Sequence, residues 1–155
     1  MEISTTRFGA MEVDKKSIIR MPRGPLGFED EKEFFLMQHR DSTRFWWLQS
    51  ATEPSLAFVV VDPCQFFSDY EIEISDSDVE KLNLKDAADA MVLTIVSIDR
   101  KSGEITANLA APVVINAKEL IGMQIVLQDD RYRVKHKLET RQNEDSADKV
   151  VAKAA

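Results

Sequence analysis

Apolar residues recur along this 155-residue chain mainly with period two, the spacing of a strand whose two sides face different surroundings. In RYRVKHKL, Tyr132, Val134, His136 and Leu138 share one side. Arg131, Arg133, Lys135 and Lys137 share the other, which predicts a strand with one wet face. Residues 91–98, MVLTIVSI, and 56–61, LAFVVV, are near-continuous apolar runs rich in β-branched side chains, the composition of central strands. MEVDKKSIIRM predicts two short strands about an Asp14-Lys15-Lys16 turn, and SIDRKSGEIT a hairpin about Ser102-Gly103. In EIEIS, Glu71 and Glu73 alternate with Ile72 and Ile74, a further strand with an acidic outer side. Turn signals are frequent and no long amphipathic pattern appears. The prediction is a mainly β chain, a small single-domain antiparallel β-barrel-like fold with short helical turns.

Three segments predict those turns. VDPCQFF places Asp62 as a cap and Pro63 at the first helical position. SDSDVEKLNL has Ser77 and Glu80 at capping-box spacing, with Val79 and Leu82 on one face. NAKELIG has Asn116 as a cap, Glu119 three residues on, and Gly122 placed to end a helix. Just before it, TANLAAPVVIN sets polar residues and a proline inside an apolar run. Pro112 cannot donate to a ladder, so it marks a break between EITANL and VVIN. Thr106 and Asn108 share one side, and either satisfy backbone groups at that corner or face a partner. In RGPLGFED, Pro25 fixes one φ and Gly27 takes a positive one, which predicts a tight turn.

Composition narrows the setting. A hydrophobic fraction of 44% over 155 residues suits one domain with its own core. Residues 139–155, ETRQNEDSADKVVAKAA, lack aromatics and are predicted to be a flexible charged tail beyond a domain at 1–138. The N-terminal stretch has no signal-peptide pattern, no apolar run approaches the roughly 20 residues of a membrane span, and a single cysteine forms no internal disulfide. A reducing cytoplasmic location without a membrane partner is expected. The net charge is −7. The tail holds four acidic and three basic residues, so the remainder stays near −6. Nucleic-acid binding usually rests on a basic face, so this charge disfavours direct RNA contact and favours basic protein partners.

Candidate chemistry is sparse. His39 lies in the polar stretch MQHRDSTR and His136 on the apolar side of its strand, with no cysteine or second histidine at metal-site spacing. Cys64 opens a short helix whose dipole would lower its pKa, but no base is placed beside it, and a partly buried inert thiol is expected. An enzyme or a small-ligand-binding barrel using Cys64 or His136 is the alternative class. No catalytic residue, metal ligand or cofactor is assigned. Glu71, Glu73, Asp76 and Asp78 form an acidic edge that is either a solvated face or a docking strip for a basic protein. Adjacent Trp46 and Trp47 point to opposite faces of a strand, which makes one core and the other rim or interface.

Several segments together resemble the FliW family of flagellar assembly factors. They are GPLGFED, FWWLQS, LAFVVVDP, EIEIS, ITANLAAPVVIN and GMQIVLQDDRYRVKHKL, in order over about residues 1–138. One departure is visible: the resemblance leads to Gly-Leu-Pro-Gly-Phe where this chain has Gly24-Pro25-Leu26-Gly27-Phe28. The resemblance implies a cytoplasmic, non-catalytic protein, monomeric when free. Its implied partners are the RNA-binding translational regulator CsrA, whose repression of flagellin mRNA it relieves, and flagellin itself. Glu71, Glu73, Asp76, Asp78, Asn108, Trp46 and Trp47 are the candidate partner-binding residues.

Overall fold

The two β-branched runs form strands as predicted, and a ring closes around them. A computed structural model describes residues 1–138, and the predicted tail at 139–155 lies outside the described residues. The strands are β1 (Glu2–Thr5), β2 (Gly9–Glu12), β3 (Ile19–Arg20), β4 (Glu33–Gln38), β5 (Phe45–Ser50), β6 (Ala57–Val61), β7 (Ala90–Ile98), β8 (Ile105–Ala107), β9 (Val113–Asn116), β10 (Ile121–Gln124) and β11 (His136–Lys137). Among the described residues one α-helix, α1, spans Asp76–Lys81. Strands β7, β6, β5, β4, β3, β10 and β9 neighbour one another in that order, and β9 pairs back onto β7. Every pair is antiparallel except β3 with β10. The long β7 serves three neighbours, with Val96, Ser97 and Ile98 opposite β8 and residues 90–93 opposite β9. Pro112 sits in the break between those two partners, as its missing donor requires.

The alternation of side chains sorts the ring into an inside and an outside. Ile19, Phe34, Leu48, Val60, Leu93, Val113 and Ile115 form one buried cluster, with Trp46, Phe58 and Ile95 packed against it. Gly122 of β10 faces the same cluster, since a Cβ there would lie 3.2 Å from Ile115 and 3.4 Å from Ile19. Residues from all seven ring strands therefore meet, and the interior is filled with side chains. Each fully buried Phe or Leu contributes about 1.5–3 kcal/mol by leaving water. Three clusters cover the outside. The β1–β2 hairpin lays Ile3 and Val13 on Phe35. Leu82, at the end of α1, packs on Val114 and Ile125. Tyr70 and Leu138 cover Phe45, Trp47, Val59, Val61 and Val96.

Several local expectations change. The segments flanking Asp14-Lys15-Lys16 do not pair with each other, because β2 bonds β1 whereas β3 bonds β4 and β10. Asp14 instead caps a 3₁₀ turn at Lys15–Ser17. The cap of α1 is Ser75, whose side chain accepts the Asp78 N–H, two residues earlier than the Ser77–Glu80 spacing suggested. No helix follows Asn116. It ends β9, the turn to β10 closes through Leu120 at φ 52°, and Gly122 is a strand residue. Of RYRVKHKL only His136 and Lys137 pair, and Val134 is 63% exposed, because a turn at Asp129–Tyr132 breaks the alternation. The predicted strand at 71–74 keeps its alternation of exposed and half-buried residues but has no strand partner among the described residues. The hairpin about Gly103 (φ 74°) and the Asp62–Pro63 cap form as expected.

The turn near residue 24 makes use of the order Gly24-Pro25-Leu26-Gly27. Phe28 N–H donates to the Pro25 carbonyl (2.7 Å), which puts Leu26 and Gly27 (φ 88°) in the central positions. The Leu26 N–H donates to Gln124 Oε1 at 2.8 Å, a bond that proline at that position could not make. Gly24 admits no side chain, since a Cβ would sit 2.2 Å from the Phe28 carbonyl oxygen.

Candidate functional site

The acidic edge is held in place by an aromatic pair and a helix cap. Tyr70 is buried, donates from its hydroxyl to the Leu109 carbonyl (2.8 Å), and meets Tyr132 edge-on with ring centroids 4.6 Å apart. Burial pushes the Tyr70 hydroxyl far above the ordinary phenol range, so it stays a neutral donor. Tyr132 Oη accepts the Glu71 N–H at 3.0 Å. Ile72 and Ile74 then turn inward onto the outer clusters, which sends Glu71 and Glu73 into solvent. Ser75 starts α1, and Asp76 and Asp78 fall in its first turn, where the helix dipole favours negative charge. That accounts structurally for Asp76 and Asp78. It does not account for Glu71 and Glu73.

A second acidic stretch faces the first. Residues 125–131 run past 71–78, and a groove of about 660 Å³ separates them, with Glu71, Glu73, Asp78, Asp129 and Asp130 on its walls. Among the described residues Arg131 is the one basic residue lining it, and Asp129 holds that guanidinium at 2.7 Å. Hydrogen bonding from Arg131 keeps the Asp129 carboxyl below its usual range. The ion pairs among the described residues are Met1–Glu12, Lys118–Asp89 and Arg131–Asp129, so Glu71, Glu73, Asp76 and Asp78 take part in none. Sequence reasoning missed Asp129 and Asp130, because only the fold brings them across from residues more than fifty positions earlier.

The other candidate residues lie elsewhere. Trp47 is buried outside the ring, edge-on to Phe8 (5.6 Å), beneath the Arg7 guanidinium (5.2 Å) and stacked on His39 (6.1 Å). Trp46 is half-buried on the opposite face, against the interior cluster. Neither lines the groove. Asn108 Oδ1 accepts the Ala111 N–H at 3.1 Å, the backbone-satisfying corner role, whereas Thr106 is a buried residue of β8 in register with Lys137. Asn116 is also buried and works through its backbone partners.

The residues of the enzyme alternative are placed unfavourably for catalysis. Cys64 is exposed rather than partly buried, and its Sγ lies 3.9 Å from the Tyr70 carbonyl. Desolvation and the neighbouring Asp62 raise the thiol pKa, the reverse of the helix-dipole expectation, because a single 3₁₀ turn offers little dipole. His136 spends its Nε2 lone pair on the Arg133 N–H (2.8 Å), and burial followed by Arg133 lowers its pKa. His39 is 3% exposed rather than in an open polar loop, with Nδ1 accepting the Asp41 N–H. A ring filled by Phe34, Leu48 and Val60 leaves its interior to side chains instead of a small ligand.

A side-chain-filled barrel with an acid-lined outer groove is thus the class that fold and surface define. The chain belongs to the FliW family, whose "FliW protein" profile matches residues 2–138. It is 42% identical to the flagellar assembly factor FliW of Natranaerobius thermophilus, over 89% of this chain and 92% of that one. Against the FliW of Geobacter sulfurreducens the identity is 41%, covering 88% and 85%. The crystal structure of a flagellar assembly factor FliW superposes with a TM-score of 0.82 at 36% identity, over 88% of this chain and 96% of that chain.

Proposed function

We propose that this chain is a non-catalytic cytoplasmic regulator of flagellum assembly. In this reading it binds the translational regulator CsrA and relieves its repression of flagellin mRNA. It also binds flagellin in a chaperone-like way, so that flagellin export frees it to act on CsrA. The observation that carries the reading is family membership over residues 2–138. The surface supports it, since Glu71 and Glu73 are exposed, make no ion pair among the described residues, and have no role in the helix cap. An RNA-binding partner carries basic residues for phosphate, and an acidic edge complements them. The net charge of −7 also repels RNA itself, which suits a protein that acts on an RNA-binding partner without touching the message.

The test is direct binding. Purified chain is titrated by calorimetry with CsrA and, separately, with flagellin. Each should give a saturable complex, and chain preloaded with flagellin should take up less CsrA. Absence of binding to both would remove the proposal.

A further inference from the structure

Two extended stretches on the outside of the ring leave one side of their backbones unused. Ile125 and Leu127 donate their N–H groups to the carbonyls of Pro112 and Ala110, at 2.9 and 2.8 Å. Alternate peptide groups of an extended chain point opposite ways. The N–H groups of Val126 and Gln128 therefore turn towards the groove, and among the described residues they have no hydrogen-bond partner. Across the groove, the Glu71 N–H is taken by Tyr132, but the peptide groups of Ile72, Glu73 and Ile74 make no hydrogen bond among the described residues. An unpaired extended edge is a template for another strand.

Side chains decide what kind of strand fits. Ile72, Ile125 and Leu127 give the groove an apolar floor, and Val126 is 55% exposed at its edge. Glu71, Glu73, Asp78 and Asp130 also line it and make no ion pair among the described residues. At about 3.3 Å per residue, the edge at 125–128 accommodates about four residues of an incoming strand. Such a strand needs basic residues on one side and aliphatic residues on the other. We propose that this groove takes an extended, alternately basic and aliphatic segment of a partner polypeptide by strand addition, Val126 and Gln128 pairing its backbone and Glu71 and Glu73 selecting its charge. The idea rests on the reading of this chain as a protein-binding factor and narrows the partner to one offering a free strand.

The experiment uses the full chain, isotopically labelled, titrated with a capped (Lys-Val)₃ peptide, the same peptide N-methylated at alternate residues, and a (Glu-Val)₃ control. Saturable shifts should centre on Glu73, Val126 and Gln128, and exchange of the Val126 and Gln128 amides should slow at least tenfold. N-methylation, the Val126→Pro variant and the Glu71→Lys, Glu73→Lys double variant should each weaken binding at least tenfold, with an otherwise unchanged spectrum confirming the fold. CsrA is titrated in parallel. If the peptide binds as described and CsrA does not, the groove stands and the CsrA reading falls. If CsrA binds while the peptide produces no saturable shifts, the strand-addition proposal is overturned. Equal binding of the (Glu-Val)₃ or N-methylated peptide overturns it too. So would protection of these amides that grows with the chain's own concentration, which would assign the edge to a second copy.

Discussion

Asn116, the last residue of β9, donates from Nδ2 to the Leu82 carbonyl at the end of α1, 2.9 Å away. The same group reaches the Asn83 carbonyl at 3.1 Å, while Oδ1 accepts the N–H groups of Lys118 and Glu119. One buried amide thus closes the β9–β10 turn and ties the helix that follows the acidic edge to the ring. The Asn83 side chain returns the link by bonding Glu119 in that turn.

Replacing Asn116 by alanine should therefore cost more than a simple cap. Buried carbonyls and turn N–H groups lose their partners together, so Asn116→Ala should destabilise by about 2 kcal/mol in urea unfolding. Asn108→Ala, which removes one bond at a half-buried corner, should cost about 1 kcal/mol and leave partner binding unchanged.

The adjacent tryptophans should respond differently to substitution. Trp47 is 3% exposed among Phe8, Arg7 and His39, so Trp47→Ala should cost about 4 kcal/mol. Trp46 is half-buried and Trp46→Phe keeps an aromatic against the interior, so a loss of about 1–2 kcal/mol is expected. Thermal and urea melts of both variants check the order.

His136 predicts a pH dependence. Its folded pKa lies below the 6.5 of an unperturbed imidazole, because burial and Arg133 disfavour the cation. The unfolded chain therefore takes up the proton first. The contribution is fully present above about pH 6.5 and is lost as pH falls below it. Urea stability should decline from pH 7 to 5, and His136→Gln should flatten the part of that decline due to this residue.

The strands of the ring were readable because their signals are local. Residues 91–98 and 57–61 are apolar on both sides, as strands covered inside and outside must be, and the Trp46–Trp47 pair split across β5 as alternation requires. The segments that misled carry the same local signals without a partner. Residues 71–74 alternate like a strand because Ile72 and Ile74 pack on outer clusters, yet no ladder forms there. Val134 has strand spacing but follows a turn set by Asp129. Asn116 and Glu119 match a helix start, whereas the bonds to Leu82 and Asn83 that decide the matter come from residues more than thirty positions away. For the same reason only the Glu71–Asp78 wall of the groove could be named from sequence, and its facing wall could not.

The most direct test of the partner-binding reading is the rate of association with CsrA, measured for wild type and a Glu71→Lys, Glu73→Lys double variant across a salt series. Steering between opposite charges acts on the association rate and fades as the screening length falls from about 10 Å at 0.1 M salt to about 3 Å at 1 M. Wild type should associate fast at low salt and slow steeply as salt rises. The double variant should associate at least tenfold more slowly at low salt, with a shallow salt slope, and the two should converge at high salt. Equal rates and equal slopes would contradict the account and leave the acidic edge as a solvated face.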